Sequence, residues 1–149
     1  MQDARLRIRL ERALRHMRRQ HDELSELETE LASAVAEADV DRVWLWLGRY
    51  AEALEAHFDL EEQMLFPLLA GFGGSLRDGV SRLVHQHQRL QNDVDELTRQ
   101  SNAYDLASGL AALRVEMAAH ERLEETLAVM ASAAVPAGEA DAAEAHIRR

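Results

Sequence analysis

The stretch VWLWLGRYAEALEAHFDLEEQMLFPL, residues 43–68, places Val43, Leu47, Tyr50, Leu54, His57, Glu61, Met64 and Leu68 at an alternating spacing of three and four. That spacing puts them all on one face of a helix, the face a globular protein buries. Most are apolar, but His57 and Glu61 sit one turn apart and leave the face together. A buried carboxylate is costly unless it is paired or bound to a cation. The same H-x-x-x-E returns from His120 to Glu124, inside a second stripe of Leu106, Leu110, Leu113, Met117, His120, Glu124 and Leu127.

Two more stripes complete the pattern. Leu10, Leu14, Met17, His21, Leu24, Leu31 and Val35 mark a long first helix; Leu76, Val80, Leu83, His87, Leu90, Val94 and Leu97 mark a third. Asp39 or Asp41 is placed to cap the second helix, and Ser101 or Asn102 the fourth. Ser75 with Asp78 has the pattern of a capping box for the third. Pro67 and Gly71-Phe72-Gly73-Gly74 close the second. Four long helices with short connections predict an all-α, antiparallel up-down-up-down four-helix bundle. The bundle is expected over residues 1–134, and residues 135–149, with Pro136 and Gly138, are expected to form a C-terminal tail. Gly48 and Gly109 weaken their helices by roughly 1 kcal/mol each relative to Ala and are read as positions of close packing. Trp44, Trp46, Phe58 and Phe72 lie beside the stripes and are expected to widen the core face; exposed, they would mark a dimer surface.

Composition narrows the function. A chain of 149 residues suits one domain with one core. It has no cysteine, which excludes disulfides, zinc-thiolate sites and iron–sulfur clusters and suits a reducing compartment, so a cytoplasmic location is expected. The net charge of −10 argues against nucleic acid as a partner. The amino end is locally basic, with seven arginines in the first nineteen residues. It alternates Arg with Leu and Ile and includes Asp3 and Glu11, so it reads as part of the first helix rather than as a secretory or mitochondrial leader. No apolar stretch approaches the ~20 residues of a membrane span.

The seven histidines separate by face. His21, His57, His87 and His120 each replace an apolar residue on a stripe, one per helix. His16, His85 and His146 fall among polar neighbours or in the tail and are expected to be solvated. One histidine on an apolar stripe is more often a hydrogen-bonded core residue than a ligand. Four of them with two acids, at levels that agree within about a turn, are different: six titratable groups in a dry core are very unfavourable without compensating charge. The chain also repeats itself. Gln20-His21-Asp22-Glu23-Leu24 resembles Gln86-His87-Gln88-Arg89-Leu90, and each is followed by its own H-x-x-x-E, so the sequence reads as two hairpins of one design.

Four imidazoles and two carboxylates exceed what one tetrahedral zinc uses and suit two ions. The economical arrangement puts His21 and His57 on one ion and His87 and His120 on the other, with Glu61 and Glu124 bridging. Iron or manganese would keep positions open for water, oxide or a diatomic ligand. The Glu-x-x-His recipe of ferritin-like bundles has the opposite order and spacing and is disfavoured.

These residues resemble a known family. His21 in Q-H-D-E-L, H-F-D-L-E-E-Q-M-L-F-P from His57, H-Q-R-L from His87 and H-E-R-L-E-E from His120 look like hemerythrin-like (HHE cation-binding) domains, over roughly residues 10–132. The resemblance implies a four-helix bundle around two non-haem Fe ions, with an oxo or hydroxo bridge, held by His21, His57, Glu61, His87, His120 and Glu124. It departs from the oxygen-carrying members, which have a further histidine one turn after His87 where this chain has Gln91, and which end in H-x-x-x-x-D. The match is closer to the four-His, two-Glu type. The expected function is therefore binding or sensing of O2, nitric oxide or peroxide. A peroxide-consuming, peroxidase- or catalase-like enzyme and an iron-storage or iron-sensing protein are the alternatives; a metal-binding protein is favoured over an enzyme. No membrane or nucleic-acid partner is expected, and the chain is read as a monomer or homodimer. Tyr50 is read as core packing ahead of a role near the ligand pocket, and Glu62 and Glu125 as facing solvent or orienting an imidazole.

Overall fold

The computed structural model describes residues 2–100 and 102–135. Among these, every regular element is helical: α1 (Gln2–Ala36), α2 (Val40–Leu60), a π turn (Glu61–Leu65), α3 (Phe66–Ala70), α4 (Gly74–Leu97) and α5 (Ala103–Ala134). The π turn and α3 prolong α2, so the described residues form four antiparallel rods. α1 packs on α2 and α5, and α4 on α5 and on the α2 rod, as an up-down-up-down bundle requires.

The ends of the rods follow local chemistry. Asp39 caps α2, its Oδ1 accepting from the Arg42 N–H at 3.2 Å. Asn102 caps α5, its Oδ1 accepting from the Asp105 N–H at 2.8 Å. α1 ends with the Asp39 N–H on the Ala34 carbonyl and the Ala38 N–H on the Val35 carbonyl, both at 3.1 Å. This crossed pair needs a left-handed residue at Ala38, which has φ 53°. The Ser75/Asp78 box does not form: α4 starts at Gly74, and its cap is Gly73, whose φ of 71° only glycine adopts readily. Ser75 is thereby already inside the helix. Ser101 and residues 136–149, with His146 and nearly all of the expected tail, lie outside the described residues. Val135, the first residue of that tail, is buried against the core.

The π turn corrects the second stripe. The Phe66 N–H bonds the Glu61 carbonyl five residues back, which inserts one extra residue into the turn. Pro67, with no N–H to give an α-helical ladder, follows directly. The buried positions therefore shift by one: Leu65 and Leu69 are buried, whereas Met64 is 41% exposed and Leu68 half-buried. Two further readings change. Gly109 does lie tight against Leu97, but a Cβ at Gly48 would meet open space. The tight glycine not singled out in the sequence is Gly79, where a Cβ would stand 2.6 Å from Leu127 Cδ2 of α5. Phe58 is buried, and Trp46 and Phe72 pack half-buried against the core, but Trp44 stays on the surface, 43% exposed.

The core is divided. One apolar cluster holds Leu14, Met17, Leu65, Leu69, Leu83 and Leu127; the other holds Leu24, Leu54, Phe58, Leu90, Leu113 and Met117. Between Met17 and Leu24 on α1, and between Leu83 and Leu90 on α4, lies a polar layer. That layer is the candidate site. None of the described helices is long and apolar enough to cross a membrane.

Candidate metal centre

The structure brings all six sequence-selected side chains into this one layer. His57, Glu61, His87, His120 and Glu124 are each at most 2% exposed, and His21 is half-buried. Their inward atoms form two sets: His21, His57, Glu61 and Glu124, and Glu61, His87, His120 and Glu124, with all donor atoms of a set within 4.8 Å of one another. Glu61 and Glu124 belong to both, the arrangement the sequence made economical.

The distances have a common scale. His21 Nε2 is 2.8 Å from Glu124 Oε2, and His57 Nε2 is 3.0 Å from Glu61 Oε1. His87 Nε2 is 3.0 Å from Glu61 Oε2 and 3.1 Å from His120 Nε2. His120 Nε2 also touches Glu124 Oε1. Two donors each about 2.1 Å from one ion and at right angles to it stand about 3.0 Å apart, so this spacing fits neighbouring ligands of a cation. The His87 and His120 nitrogens face each other, and they cannot both donate a hydrogen bond. His21 Nε2, His57 Nε2, Glu61 Oε1 and both Glu124 oxygens are buried and lie within reach of one another, yet none makes a hydrogen bond of good geometry. Each such atom costs about 1–3 kcal/mol when left unmet, and a cation meets them all. The residues present fit a pair of metal ions.

Three imidazoles are fixed from behind. His57 Nδ1 bonds Gln20 Oε1 at 2.8 Å, His120 Nδ1 bonds Gln86 Oε1 at 2.8 Å, and His87 Nδ1 bonds Glu62 Oε1 at 2.9 Å. An amide or carboxylate oxygen accepts, so Nδ1 carries the proton and Nε2 is left for the centre. Sequence reasoning missed Gln20 and Gln86, although the repeated Gln-His dipeptide held the signal: the histidine enters the layer, and the glutamine before it holds the histidine of the next rod. Of the two roles expected for it, facing solvent or orienting an imidazole, Glu62 takes the orienting one at His87. Its counterpart Glu125 does not; Arg18 holds it through Nε at 3.0 Å and a second nitrogen at 3.2 Å.

The two halves therefore differ. His87 stacks on Phe58 with centroids 3.8 Å apart and on Phe66 at 5.0 Å, so its side is closed by apolar rings. His21, its side chain 11% exposed, lies at the floor of a groove of about 800 Å³ between α1 and α5, walled by Arg18, Asp22, Glu121, Arg122 and Glu125. Tyr50 is fully buried and donates to Glu28 Oε1 at 2.9 Å, so it is a satisfied core residue. His85 is exposed as expected; His16 is half-buried, with its Nδ1 2.8 Å from an Arg19 nitrogen.

With no cation present the layer balances its own charge. Burial pulls the His21 imidazole down, but the carboxylates of Glu124 and Glu61 outweigh it and hold its pKa up at about 10. The same opposition holds His87 up at about 9. Burial pushes Glu61 up, yet the four surrounding histidines bring it well below the ordinary carboxylate range. Loading a cation would displace these shared protons.

The family model for the hemerythrin HHE cation-binding domain matches residues 12–132. The chain belongs to this family. No curated protein and no solved structure matches it. Membership in the hemerythrin HHE family agrees with the fold and with a cation-binding layer built from histidine and glutamate. Within that family pattern, Gln91 on α4 is half-buried and supplies no imidazole.

Proposed function

We propose that this hemerythrin-like domain holds two non-haem iron ions and binds or senses O2, nitric oxide or peroxide. His21 and His57 would hold one ion, His87 and His120 the other, and Glu61 and Glu124 would be shared by both. The observation that carries the reading is the set of buried donor atoms without a hydrogen bond of good geometry, all directed into one layer between two dry clusters. Bound iron supplies the redox and ligand-binding chemistry. The chain's own residues do the rest. Gln20, Gln86 and Glu62 hold imidazole protons on Nδ1, Phe58 and Phe66 exclude water from the His87 side, and the α1–α5 groove leaves the His21 side for a small ligand to approach.

The approach to His21 also favours a second reading, consumption of peroxide at the same centre, because His21 lines an open groove of about 800 Å³. The first experiment is elemental analysis of tag-free protein with an aerobic ultraviolet–visible spectrum. Two irons per chain and an oxo-bridge charge-transfer band are expected; no iron after anaerobic reconstitution with ferrous iron would overturn the proposal. Addition of peroxide separates binding from turnover.

A further inference from the structure

The outer face of α1 carries a second pattern, unrelated to the metal layer. Arg5, Arg9, Arg12, His16 and Arg19 follow a four/three spacing, and Glu23, Glu26, Glu30, Ser33 and Glu37 continue it without a break. All are exposed except His16 and Ser33, which are half-buried. One surface stripe along a single helix is thus basic in its first half and acidic in its second. The segregation reaches the whole chain. Residues 1–19 carry seven arginines against two acids, a local +5, so the remainder of a chain with total charge −10 carries −15.

A stripe of this kind is complementary to itself when reversed. We propose that two copies of this protein associate through α1, antiparallel, about a twofold axis near residue 21. Each residue then faces the one whose number completes 42: Arg5 faces Glu37 of a second copy, Arg12 faces Glu30, His16 faces Glu26, and Arg19 faces Glu23, while Arg9 meets Ser33. A twofold axis makes every such pair occur twice, as an isologous contact requires. Parallel pairing would set like charges against each other, so the pattern selects the antiparallel arrangement as well as the partner.

Local structure favours the same occupant. The acidic half borders a groove of about 560 Å³ lined by Glu23, Glu26, Leu27, Glu30 and Trp46, which would receive arginine side chains of a second copy. Trp46 already accepts a guanidinium, with Arg49 4.9 Å above its ring. Arg5, Arg9 and Arg12 have no ion-pair partner among the described residues. Glu30 and Glu37 share Arg42, at 3.8 Å in the case of Glu30, and remain exposed enough to take a second cation. A helix of this length offers about 50 Å of contact. Because the contacts are charged and solvated, the association is reversible and sensitive to salt.

The test is sedimentation velocity on the full chain over a concentration series, at about 50 mM and about 0.5 M salt, where the screening length falls from about 14 Å to about 4 Å. The expected result is a dimer at low salt whose dissociation constant weakens by at least about tenfold at high salt. Two triple variants decide the geometry: Arg5→Glu/Arg12→Glu/Arg19→Glu, and Glu23→Arg/Glu30→Arg/Glu37→Arg. Each alone should be monomeric, since its three reversals set like charges opposite each other in the facing pairs 5/37, 12/30 and 19/23. Mixed, they should form a heterodimer, because the facing pairs 5/37, 12/30 and 19/23 then carry opposite charges on both sides of the axis. Circular dichroism checks that both remain helical; should either triple variant unfold, the single Arg12→Glu and Glu30→Arg pair is used in the same mixing design. Wild type that stays monomeric at low salt, a dimer indifferent to the reversals, or variants that fail to pair when mixed would overturn the proposal.

Discussion

The bond between Gln86 and His120 gives the sharpest test of the centre. His120 is 0% exposed, and its Nδ1 has one partner, Gln86 Oε1, at 2.8 Å. Gln86→Leu keeps the approximate volume and removes the acceptor. In the metal-free protein the orphaned N–H costs about 1–3 kcal/mol. For a chain of this size that lowers the melting temperature by roughly 2–12 °C. In the loaded protein the imidazole also loses its orientation, and the expected loss of metal affinity is about 10–100-fold, or about 1.4–2.8 kcal/mol. The assay is competition with a chromophoric chelator, paired with thermal unfolding of the stripped protein. Gln86→Glu, which retains an acceptor, should recover most of the affinity. Gln88→Ala, exposed on the same helix, should change neither quantity. A folded Gln86→Leu that binds metal within about twofold of wild type would refute the argument that the glutamine positions the ligand.

Four other outcomes follow from the same structure. Glu61→Gln should lower metal content at both positions, not one, because Glu61 belongs to both ligand sets; elemental analysis of metal per chain reads this directly. Stripping metal with a chelator should lower stability by about 2.7 kcal/mol relative to protein with free metal at a hundred times its dissociation constant, which calorimetry would show as a drop of about 5–10 °C. Ala38→Gly should stabilise the fold by about 1 kcal/mol, since Ala38 holds φ 53° at the end of α1; an unchanged urea midpoint would contradict this. The Glu116 carboxyl beside it raises the Asp93 pKa to about 6. A raised carboxyl contributes stability that is fully present below its unfolded pKa near 3.8 and is lost as pH rises through about 6, so stability should fall slightly across that window. Both groups are partly solvated, which limits the effect to a fraction of a kcal/mol by the screening of exposed charges, and Asp93→Asn should flatten the slope in a pH series of unfolding curves.

The centre was legible because its chemistry contradicts its pattern. An imidazole or a carboxylate on an apolar stripe stands out at any helix position, and the repeat of Gln20-His21 at Gln86-His87 supplied the pairing of hairpins. What the periodicity misplaced was the end of the second stripe. An alternating three/four count carries Met64 and Leu68 into the core, but a π turn at Glu61 adds a residue that no regular count includes. Pro67 marked the spot without revealing how the backbone would accommodate it. The cap of α4 failed for a similar reason: Ser75/Asp78 is a sound local motif, and the tight link between rods placed the helix start two residues earlier, at a left-handed Gly73.

The sequence by itself determined the four rods, their order and the six side chains of the polar layer, because burial period and residue type are local properties. Tertiary structure decided which groups stand behind them. Glu62 and Glu125 occupy equivalent places in the two H-x-x-x-E motifs, yet Glu62 holds His87 and Glu125 is taken by Arg18, a residue 107 positions away in the chain. That choice leaves one half of the layer enclosed by phenylalanines and the other open at His21. It depends on distances between helices, and a pattern along one helix carries no such distances.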